Sequence, residues 1–107
     1  MKPVVPRLVA GRDIEDAVDY YATTAGDAVA LRFVGNVEEA FRQIGGNPSI
    51  GSLRYAYELG LPELRFRILR EFPYLIFYIE RPSHVDVWRV LHGHRDIPIW
   101  LSQPDQS

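Results

Sequence analysis

The sequence predicts a two-layer α+β fold in which a helical hairpin covers one face of a small, mainly antiparallel sheet. Three observations carry this prediction: two amphipathic segments follow each other in the first half of the chain, three extended segments fill the second half, and turn residues separate them. Helices with an apolar stripe need a second layer, and a sheet with an apolar face provides it. The predicted order is strand, helix, helix, three strands and a short C-terminal tail, in one domain of residues 1–107.

The first predicted elements are an edge strand and an amphipathic helix. Residues 4–10 form an apolar run that contains Pro6, and edge strands tolerate proline because one side of their backbone needs no partner. Gly11 then breaks the run. Residues 13–22 place apolar side chains at positions i, i+3, i+4 and i+7, which is the spacing of one helix face.

A second, longer helix completes the predicted hairpin. Asp27 is suited to be its N-cap, because a carboxylate accepts hydrogen bonds from the first free N–H groups of a helix. Residues 28–44 carry a continuous apolar stripe, and the glycines and proline of residues 45–48 predict the end of the helix. The next segment, residues 49–62, is rich in glycine and tyrosine and is predicted to be a loop.

Three strands are predicted in the second half of the chain. In residues 64–70 apolar side chains alternate with Arg65 and Arg67, so the two arginines share the polar face. A proline-containing turn leads into residues 74–79, which are apolar or aromatic throughout, as in a central strand covered on both faces. Residues 85–91 follow a second turn and complete an antiparallel meander.

Composition and charge narrow the class of protein. The chain is 47% hydrophobic and 24% charged, as globular proteins are, and no apolar run approaches the ~20 residues of a membrane span. We therefore expect a cytoplasmic protein. The absence of cysteine excludes disulfides and thiolate chemistry. A net charge of −2 argues against nucleic acid as the main direct ligand, because binding to phosphate backbones relies on a cationic excess.

Several motifs together resemble the RelE/ParE superfamily of toxins from type II toxin–antitoxin systems, and its ParE branch in particular. They are Ile-Glu-Asp-Ala at 14–17, Asn-Pro at 47–48, Arg-Glu-Phe-Pro-Tyr at 70–74 and His-Gly-His-Arg-Asp at 92–96. The resemblance spans nearly the whole chain. It implies a RelE/ParE-like fold and a toxin without cofactor or metal that inhibits DNA gyrase. It also implies that a cognate antitoxin neutralises the toxin, which meets operator DNA only through that antitoxin.

The superfamily also contains RelE-like ribonucleases that cleave messenger RNA on the ribosome, and this activity remains open as an alternative. Its catalytic set would be His92, His94 and Arg95, because histidine exchanges protons near neutral pH and arginine stabilises phosphate charge. The second half of the chain lacks lysine, and Trp100, which cannot transfer a proton, stands where a phenol would be expected. Gyrase inhibition without catalysis is the preferred interpretation. A degenerate toxin that survives as an antitoxin-binding corepressor is a third possibility.

Two sets of residues are predicted to act in binding. The residues expected to contribute to toxicity lie at the C-terminal end of the last strand and beyond it, where a tail can pack back or be displaced: His92, His94, Arg95, Ile97, Trp100 and Leu101. The residues expected to bind carboxylates of the antitoxin are Arg32, Arg42, Arg65 and Arg67. The competing structural interpretations are a local hydrogen bond for His92 and, for Arg65 and Arg67, exposed ion pairs with Glu63, Glu71 or Glu80, which add little stability.

Overall fold

A mixed four-stranded sheet with a helical hairpin on one face forms the body of the protein. The fold is that of a computed structural model, which describes residues 1–94 and 97–102. The elements in chain order are β1 (Val4–Pro6), α1 (Leu8–Ala25), α2 (Asp27–Gly46), a 3-10 turn (Pro48–Ile50), α3 (Arg54–Leu59), β2 (Arg65–Ile68), β3 (Tyr74–Glu80), β4 (Val85–His92) and α4 (Ile97–Ser102). The predicted fold class and order are confirmed, and the structure adds two short helices.

The strands lie in the order β1-β4-β3-β2. The predicted meander is confirmed, since β2 pairs with β3 and β3 with β4 in antiparallel orientation. β1 is an edge strand, as predicted, and it runs parallel to β4. Along β3 and β4 the register shifts, because Phe77 lies opposite Arg89 and Tyr78 lies opposite Val87. Trp88 is therefore an extra residue in β4, which is a β-bulge.

The first strand is shorter and the first helix longer than predicted. β1 ends at Pro6 and α1 begins at Leu8, so Gly11 lies inside a helix and does not end a strand. The physical reason is that Ala10, which is fully buried, stands four residues before Ile14 and begins the core-facing stripe of the helix. The prediction of a strand over residues 4–10 was wrong in its second half, because a short apolar run is compatible with a strand and with a helix.

The turn between the two long helices depends on Gly26. The predicted N-cap at Asp27 was wrong: Gly26 occupies the cap position with φ of 96°, and Asp27 is the first residue of α2. A side chain at such a φ is strained, so glycine fits this tight reversal. The carboxylate of Asp27 still lies at the helix N-terminus, where the macrodipole favours negative charge. The predicted C-terminal stop is nearly right, since α2 ends at Gly46.

Two apolar clusters lie on opposite faces of the sheet, because alternate residues of β3 contribute to each of them. The cluster beneath the helical hairpin includes Phe33, Val37, Ile44, Phe72, Ile76, Tyr78, Val85 and Val87. The cluster on the other face includes Ala56, Leu64, Leu75, Phe77, Leu91 and Ile97, contributed in part by α3 and α4. The second face is therefore partly covered by the protein's own short helices.

The predicted loop over residues 49–62 contains α3, and this prediction was wrong in that part. Tyr55 packs its ring against Phe66 and Phe77, with ring centres 5.5 and 5.7 Å apart. Burial of this ring and of Ala56 stabilises a helix that the glycine-rich flanks obscure in the sequence. Within the residues that the structure describes, no helix has the length and apolar character needed to traverse a bilayer.

Candidate functional site

A cleft opens between α1 and the end of β4, at the place where the sequence predicts residues for toxicity. Its volume is about 500 Å³. The polar and aromatic side chains along it are Asp13, Asp16, Tyr20, Tyr21, Tyr74, His92 and His94. Asp16 and His94 are exposed, and Tyr20 leaves 58% of its surface accessible, so much of this wall can meet another molecule.

The two predicted histidines lie together in this cleft. Their rings stack with centres 5.0 Å apart and an angle of 28° between the planes. The backbone N–H of His94 donates to Nδ1 of His92 at 3.1 Å, and Tyr74 packs edge-on at 5.2 Å from His92. A turn after the last residue of β4 produces this pairing. Because Nδ1 of His92 accepts a hydrogen bond, the neutral His92 ring carries its proton on Nε2.

Tyr21 is a poor candidate for proton transfer in the cleft. Tyr21 packs against Phe33 and Phe72 with ring centres 5.4 and 4.9 Å away. Burial raises the pKa of the Tyr21 phenol above its ordinary value, and the neighbouring Tyr20 raises it further. The phenol of Tyr21 therefore remains protonated at neutral pH and can serve only as a neutral hydrogen-bonding group.

Asp13 lines the cleft and forms an ion pair with Arg89. Both of its carboxylate oxygens accept hydrogen bonds from Arg89 at 2.8 Å, and Oδ2 also accepts the backbone N–H of Val90 at 3.0 Å. The side chains of Asp13 and Arg89 are only 13% and 9% exposed. This buried ion pair joins α1 to β4, beyond the stretch that β1 covers. Sequence reasoning missed it, and the available signal was an arginine flanked by Trp88 and Val90 in a predicted strand.

The remaining residues predicted for toxicity follow β4. Ile97 is 2% exposed and belongs to the apolar cluster on the second sheet face, against which Leu101 also packs. The tail thus folds back as α4. Arg95 lies outside the described residues, and Trp100 belongs to α4 with a side chain that is also outside the description.

Tyr78 connects the segment after α2 to the sheet. Its hydroxyl donates to the carbonyl of Pro48 at 2.7 Å and accepts the N–H of Gly51 at 2.9 Å, while its side chain is fully buried. Burial raises the pKa of this phenol, so it keeps its proton and its donor role. Gly51 has no room for a side chain, because a Cβ would meet the Tyr78 hydroxyl and approach the carbonyl oxygen of Phe66 to 2.9 Å.

A second cleft, which we call the arginine groove, lies between α2 and β2. Its volume is about 730 Å³. Its wall on α2 is formed by Gly35, Asn36, Glu39, Ala40, Arg42 and Gln43, and its wall on β2 and the following turn by Arg67, Ile68, Leu69, Arg70 and Glu71. Two of the four arginines predicted to bind an antitoxin, Arg42 and Arg67, therefore face the same groove, and Arg70 joins them.

The four predicted arginines have different surroundings. Arg67 donates to the side-chain oxygen of Gln43 at 3.2 Å, whereas Arg42 pairs with Glu39 at 2.6 Å. Arg65 does not line the groove, and it donates instead to the backbone carbonyls of Ser49 and Gly51 at 3.2 and 2.8 Å.

Arg32 lies near one end of the groove, where it contacts Glu71 at 3.3 Å in an exposed ion pair. In contrast, Arg65, Arg67 and Arg70 have no carboxylate within 4.0 Å among the residues described. The exposed ion pairs predicted as the structural alternative for Arg65 and Arg67 are therefore not formed among the described residues, whereas Arg32 and Arg42 do form such pairs.

A further arginine cluster closes the opposite edge of the sheet around Asp86. Arg7 donates two hydrogen bonds of 3.0 Å to this carboxylate, Arg81 donates at 3.3 and 3.2 Å, and the Trp88 indole N–H donates at 3.2 Å. The Arg7 guanidinium also lies 4.5 Å from the Trp88 ring centre. Burial raises the pKa of Asp86, but the hydrogen bonds and charge of Arg7, with Arg81 and Trp88, outweigh burial and hold the pKa below its ordinary value.

Comparisons with known proteins agree with this architecture. Residues 7–97 match the family model described as the ParE toxin of the type II toxin–antitoxin system parDE. The chain is also similar to a solved structure of the chromosomal ParDE toxin–antitoxin system from P. aeruginosa, with a TM-score of 0.71 and 18% sequence identity over 86% of this chain and 96% of that one. At this identity the structural likeness concerns the fold. No curated protein matches the sequence.

Proposed function

The chain belongs to the ParE toxin family of type II toxin–antitoxin systems, and from this premise we propose that it inhibits DNA gyrase and is neutralised by a cognate antitoxin. The observation that carries the proposal is the family match, which extends from the start of α1 to the start of α4. The match therefore includes both the cleft at the end of β4 and the arginine groove. In this proposal the toxin acts by binding, contacts operator DNA only through its antitoxin and needs no cofactor.

We assign the contact with gyrase to the cleft beside β4 and to the tail that follows it. The proposed contact residues are His92, His94, Arg95, Ile97, Trp100 and Leu101. The exposed histidine ring and the exposed Tyr20 offer a surface of aromatic and polar groups, which are common anchors of protein interfaces. The buried Ile97 fixes the start of α4 relative to β4.

The charge of this cleft supports a binding role over cleavage of RNA. Asp13 and Asp16 line it, and among the described residues no cation lines it beside the histidines. The carboxylate of Asp16 repels the phosphate that a ribonuclease must stabilise, and Arg89 cannot offset this repulsion because it is bound by Asp13 in a buried pair. Tyr21, with its raised pKa, is a poor proton donor or acceptor near neutral pH.

One observation favours the ribonuclease alternative. His92 and His94 stack beside Tyr74, and two histidines in contact can in principle supply an acid and a base. This activity predicts cleaved transcripts in a translating extract and loss of cleavage on replacing either histidine. The degenerate toxin predicts neither gyrase inhibition nor cleavage, and no growth arrest when the protein is expressed without antitoxin.

For neutralisation, we assign the arginine groove to the antitoxin. Arg42 and Arg67 are the principal contacts, since both line the groove and guanidinium groups bind carboxylates in two-pronged fashion. Arg32 contributes at its end. Arg65 acts indirectly, because its hydrogen bonds to the Ser49 and Gly51 carbonyls hold the segment that leads to β2.

A supercoiling assay with purified gyrase tests the proposal. We expect inhibition or trapped cleaved DNA in the presence of the protein, and relief when the antitoxin is added. The variant His92→Ala/His94→Ala should lose at least tenfold in potency, whereas His84→Ala, which alters the third histidine at the β3–β4 turn, should retain it. If gyrase is unaffected while the protein still arrests growth, the proposal of a gyrase target is wrong and the translating extract becomes the decisive assay.

A further inference from the structure

One face of α1 forms a wall of the cleft beside β4. Asp13, Asp16, Ala17 and Tyr20 all line the cleft, and their spacing of i, i+3, i+4 and i+7 places them on the same side of the helix. Asp13 is held by Arg89, and the small Ala17 is buried. Asp16 and Tyr20, one helical turn apart, are therefore the side chains of this face that are exposed to solvent.

A continuous row of aromatic rings extends along the cleft from α1 to the turn after β4. The distances between successive ring centres are 5.2, 6.2, 5.2 and 5.0 Å in the order Tyr20, Tyr21, Tyr74, His92 and His94. The face of an aromatic ring is the negative side of its quadrupole and attracts cations. Rings from three segments of the chain thus form one surface, and Tyr20 at its end is 58% exposed.

The carboxylate of Asp16 is available beside these rings. Within the described part of the chain, it has no cation within 4.0 Å. The other acid of the cleft, Asp13, is already neutralised by Arg89. No lysine or arginine is among the described residues that line the cleft. An unpaired carboxylate next to exposed aromatic rings favours a positively charged ligand over an anionic one.

We propose that this cleft binds an arginine side chain of the protein that the toxin inhibits, whose guanidinium pairs with Asp16 and packs on the ring of Tyr20. This inference rests on the proposed function, in which the target protein contacts the cleft. Guanidinium is planar and weakly hydrated, so it can stack on a ring and bind a carboxylate at the same time, whereas the ammonium of lysine is compact and strongly hydrated.

A protein partner fits the cleft better than a free small cation does. Because Asp16 and Tyr20 are both exposed, a free cation in contact with them stays largely hydrated and gains little from the ion pair. A docked protein covers the two side chains and excludes water from the contact, which strengthens the interaction between the charges.

The first test uses the full-length toxin and the peptide acetyl-Gly-Arg-Gly-amide, with the NMR signals of the Tyr20 ring as the readout. We expect these signals to shift on titration. A peptide with citrulline, which has nearly the shape of arginine without its charge, should bind at least about fivefold more weakly. Acetyl-Gly-Lys-Gly-amide should bind at least about twofold more weakly, because an ammonium does not stack on the ring.

Variants of the toxin locate the peptide in the cleft. Asp16→Asn should weaken binding of the arginine peptide about threefold, and Tyr20→Leu by a similar factor. Asp16→Glu, which keeps the charge, should retain most of the affinity. The matched controls are Asp19→Asn, an exposed acid of α1 that does not line the cleft, and Tyr57→Leu, a ring of α3 that is 96% exposed. Both controls should bind the peptide as the native chain does.

The second test measures inhibition of gyrase by the same variants. Asp16→Asn should lose at least about tenfold in potency, because the interface removes water from an ion pair that stays hydrated in the peptide complex. Asp16→Arg should lose more, since it places two cations together. Asp19→Asn should inhibit as the native chain does. Urea denaturation of each variant shows whether folding is unchanged.

Equal binding of the arginine and citrulline peptides, equal binding of the arginine and lysine peptides, or the absence of a shift at Tyr20 would overturn the proposal. It would also be overturned if Asp16→Asn weakened binding of the antitoxin and left gyrase inhibition unchanged, because the cleft would then serve a different partner.

The outcomes separate this inference from the proposed function. If Asp16→Asn inhibits gyrase as well as the native chain does, the toxin keeps its proposed function and only the arginine site is lost. If the toxin binds the arginine peptide through Asp16 and Tyr20 but does not affect gyrase, the arginine site remains and gyrase is the wrong target.

Discussion

The sheet has two edges, and arginine is prominent at both, but with opposite consequences. At the β1–β4 edge, Arg7 and Arg81 surround the carboxylate of Asp86, and Arg89 is bound by Asp13 in a nearly buried pair. At the β2 edge, Arg67 has no carboxylate within 4.0 Å among the residues described. The arginines of the β1–β4 edge are thus paired with carboxylates of the same chain. Arg67 at the β2 edge can instead bind a carboxylate of another molecule.

This contrast teaches that the placement of the acidic residues, and not the number of arginines, separates an edge joined by ion pairs from an edge whose arginine has no carboxylate partner among the described residues. A buried guanidinium whose partner is removed stays buried and uncompensated, which is costly. An exposed guanidinium remains hydrated with or without a partner, so its contribution to stability is small. The same substitution should therefore act on folding at one edge and on binding at the other.

The largest expected effect comes from breaking the ion pairs of the β1–β4 edge at Asp13. Asp13→Ala leaves Arg89 buried without its carboxylate and Val90 without its acceptor, so we expect the free energy of unfolding to fall by about 3–5 kcal/mol. Denaturation in urea measures the change. Asp16→Ala, an exposed acid of the same helix, should change it by less than about 0.5 kcal/mol. Equal effects of the two variants would remove the structural role given to the buried pair.

A smaller loss of stability is expected from removing the Tyr78 hydroxyl, which connects the segment after α2 to the sheet. Tyr78→Phe deprives the carbonyl of Pro48 and the N–H of Gly51 of their partner, at a cost of about 1–3 kcal/mol. Amide exchange at Phe66 should accelerate as well, because Ser52, which exchanges two backbone hydrogen bonds with Phe66, follows the Gly51 that Tyr78 holds in place. Tyr57→Phe, altering a ring that is 96% exposed, provides the control and should leave both quantities unchanged.

Low pH should weaken the ion pairs that Asp86 forms at the β1–β4 edge. The folded protein holds the pKa of Asp86 below its ordinary value, so the ionised carboxylate stabilises the fold above the unfolded pKa of about 3.9, and that stabilisation is lost as pH falls through the lowered folded pKa. Arginine does not titrate in this range. The difference in unfolding free energy between the native chain and Asp86→Asn should thus narrow from pH 7 toward pH 2.5. A constant difference would mean that Asp86 does not contribute through its charge.

The smallest effect on stability is expected at the β2 edge. Arg67→Glu should alter the free energy of unfolding by no more than about 0.5 kcal/mol, because among the described residues the side chain makes a single hydrogen bond, to Gln43. Affinity for the antitoxin should nevertheless fall more than tenfold through charge reversal.

Arg65→Glu sharpens the contrast within the same strand. It removes the donor to the Ser49 and Gly51 carbonyls and should be the more destabilising of the two substitutions. Calorimetric titration with antitoxin, combined with urea denaturation, separates binding from folding. Unchanged antitoxin affinity for Arg67→Glu would take Arg67 out of the interface.

The sequence predicts the parts of the fold that depend on local periodicity. The stripe along α2 and the alternation around Arg65 and Arg67 are repeated patterns, and glycine and proline mark where they end. The start of α1 was missed because the apolar residues before Gly11 fit either a strand or a helix. α3 was missed because Tyr55 is stabilised by rings of β2 and β3, which lie far along the chain.

The candidate sites could be predicted only in part, since they depend on contacts between distant segments. His92 and His94 are brought together by the turn that follows β4, while the acids, Tyr20 and Tyr21 of the cleft come from α1 and Tyr74 comes from β3. Alternation correctly gives Arg65 and Arg67 one face. Alternation does not indicate that Arg65 donates to backbone carbonyls while Arg67 lines a groove. This difference arises from α2 and the turn that follows it, which supply different partners to the two arginines.

The parallel pairing of β1 with β4 has a consequence for how the protein is made. Arg7 and Asp86, which join the two strands, are 79 positions apart. At about 5–20 residues per second, synthesis of the intervening stretch takes roughly 4–16 s, during which β1 has no strand to pair with. Such long-range closure also slows folding. A nascent chain interrupted before β4 therefore cannot complete its sheet, and the four-stranded sheet arises only after β4 has been synthesised.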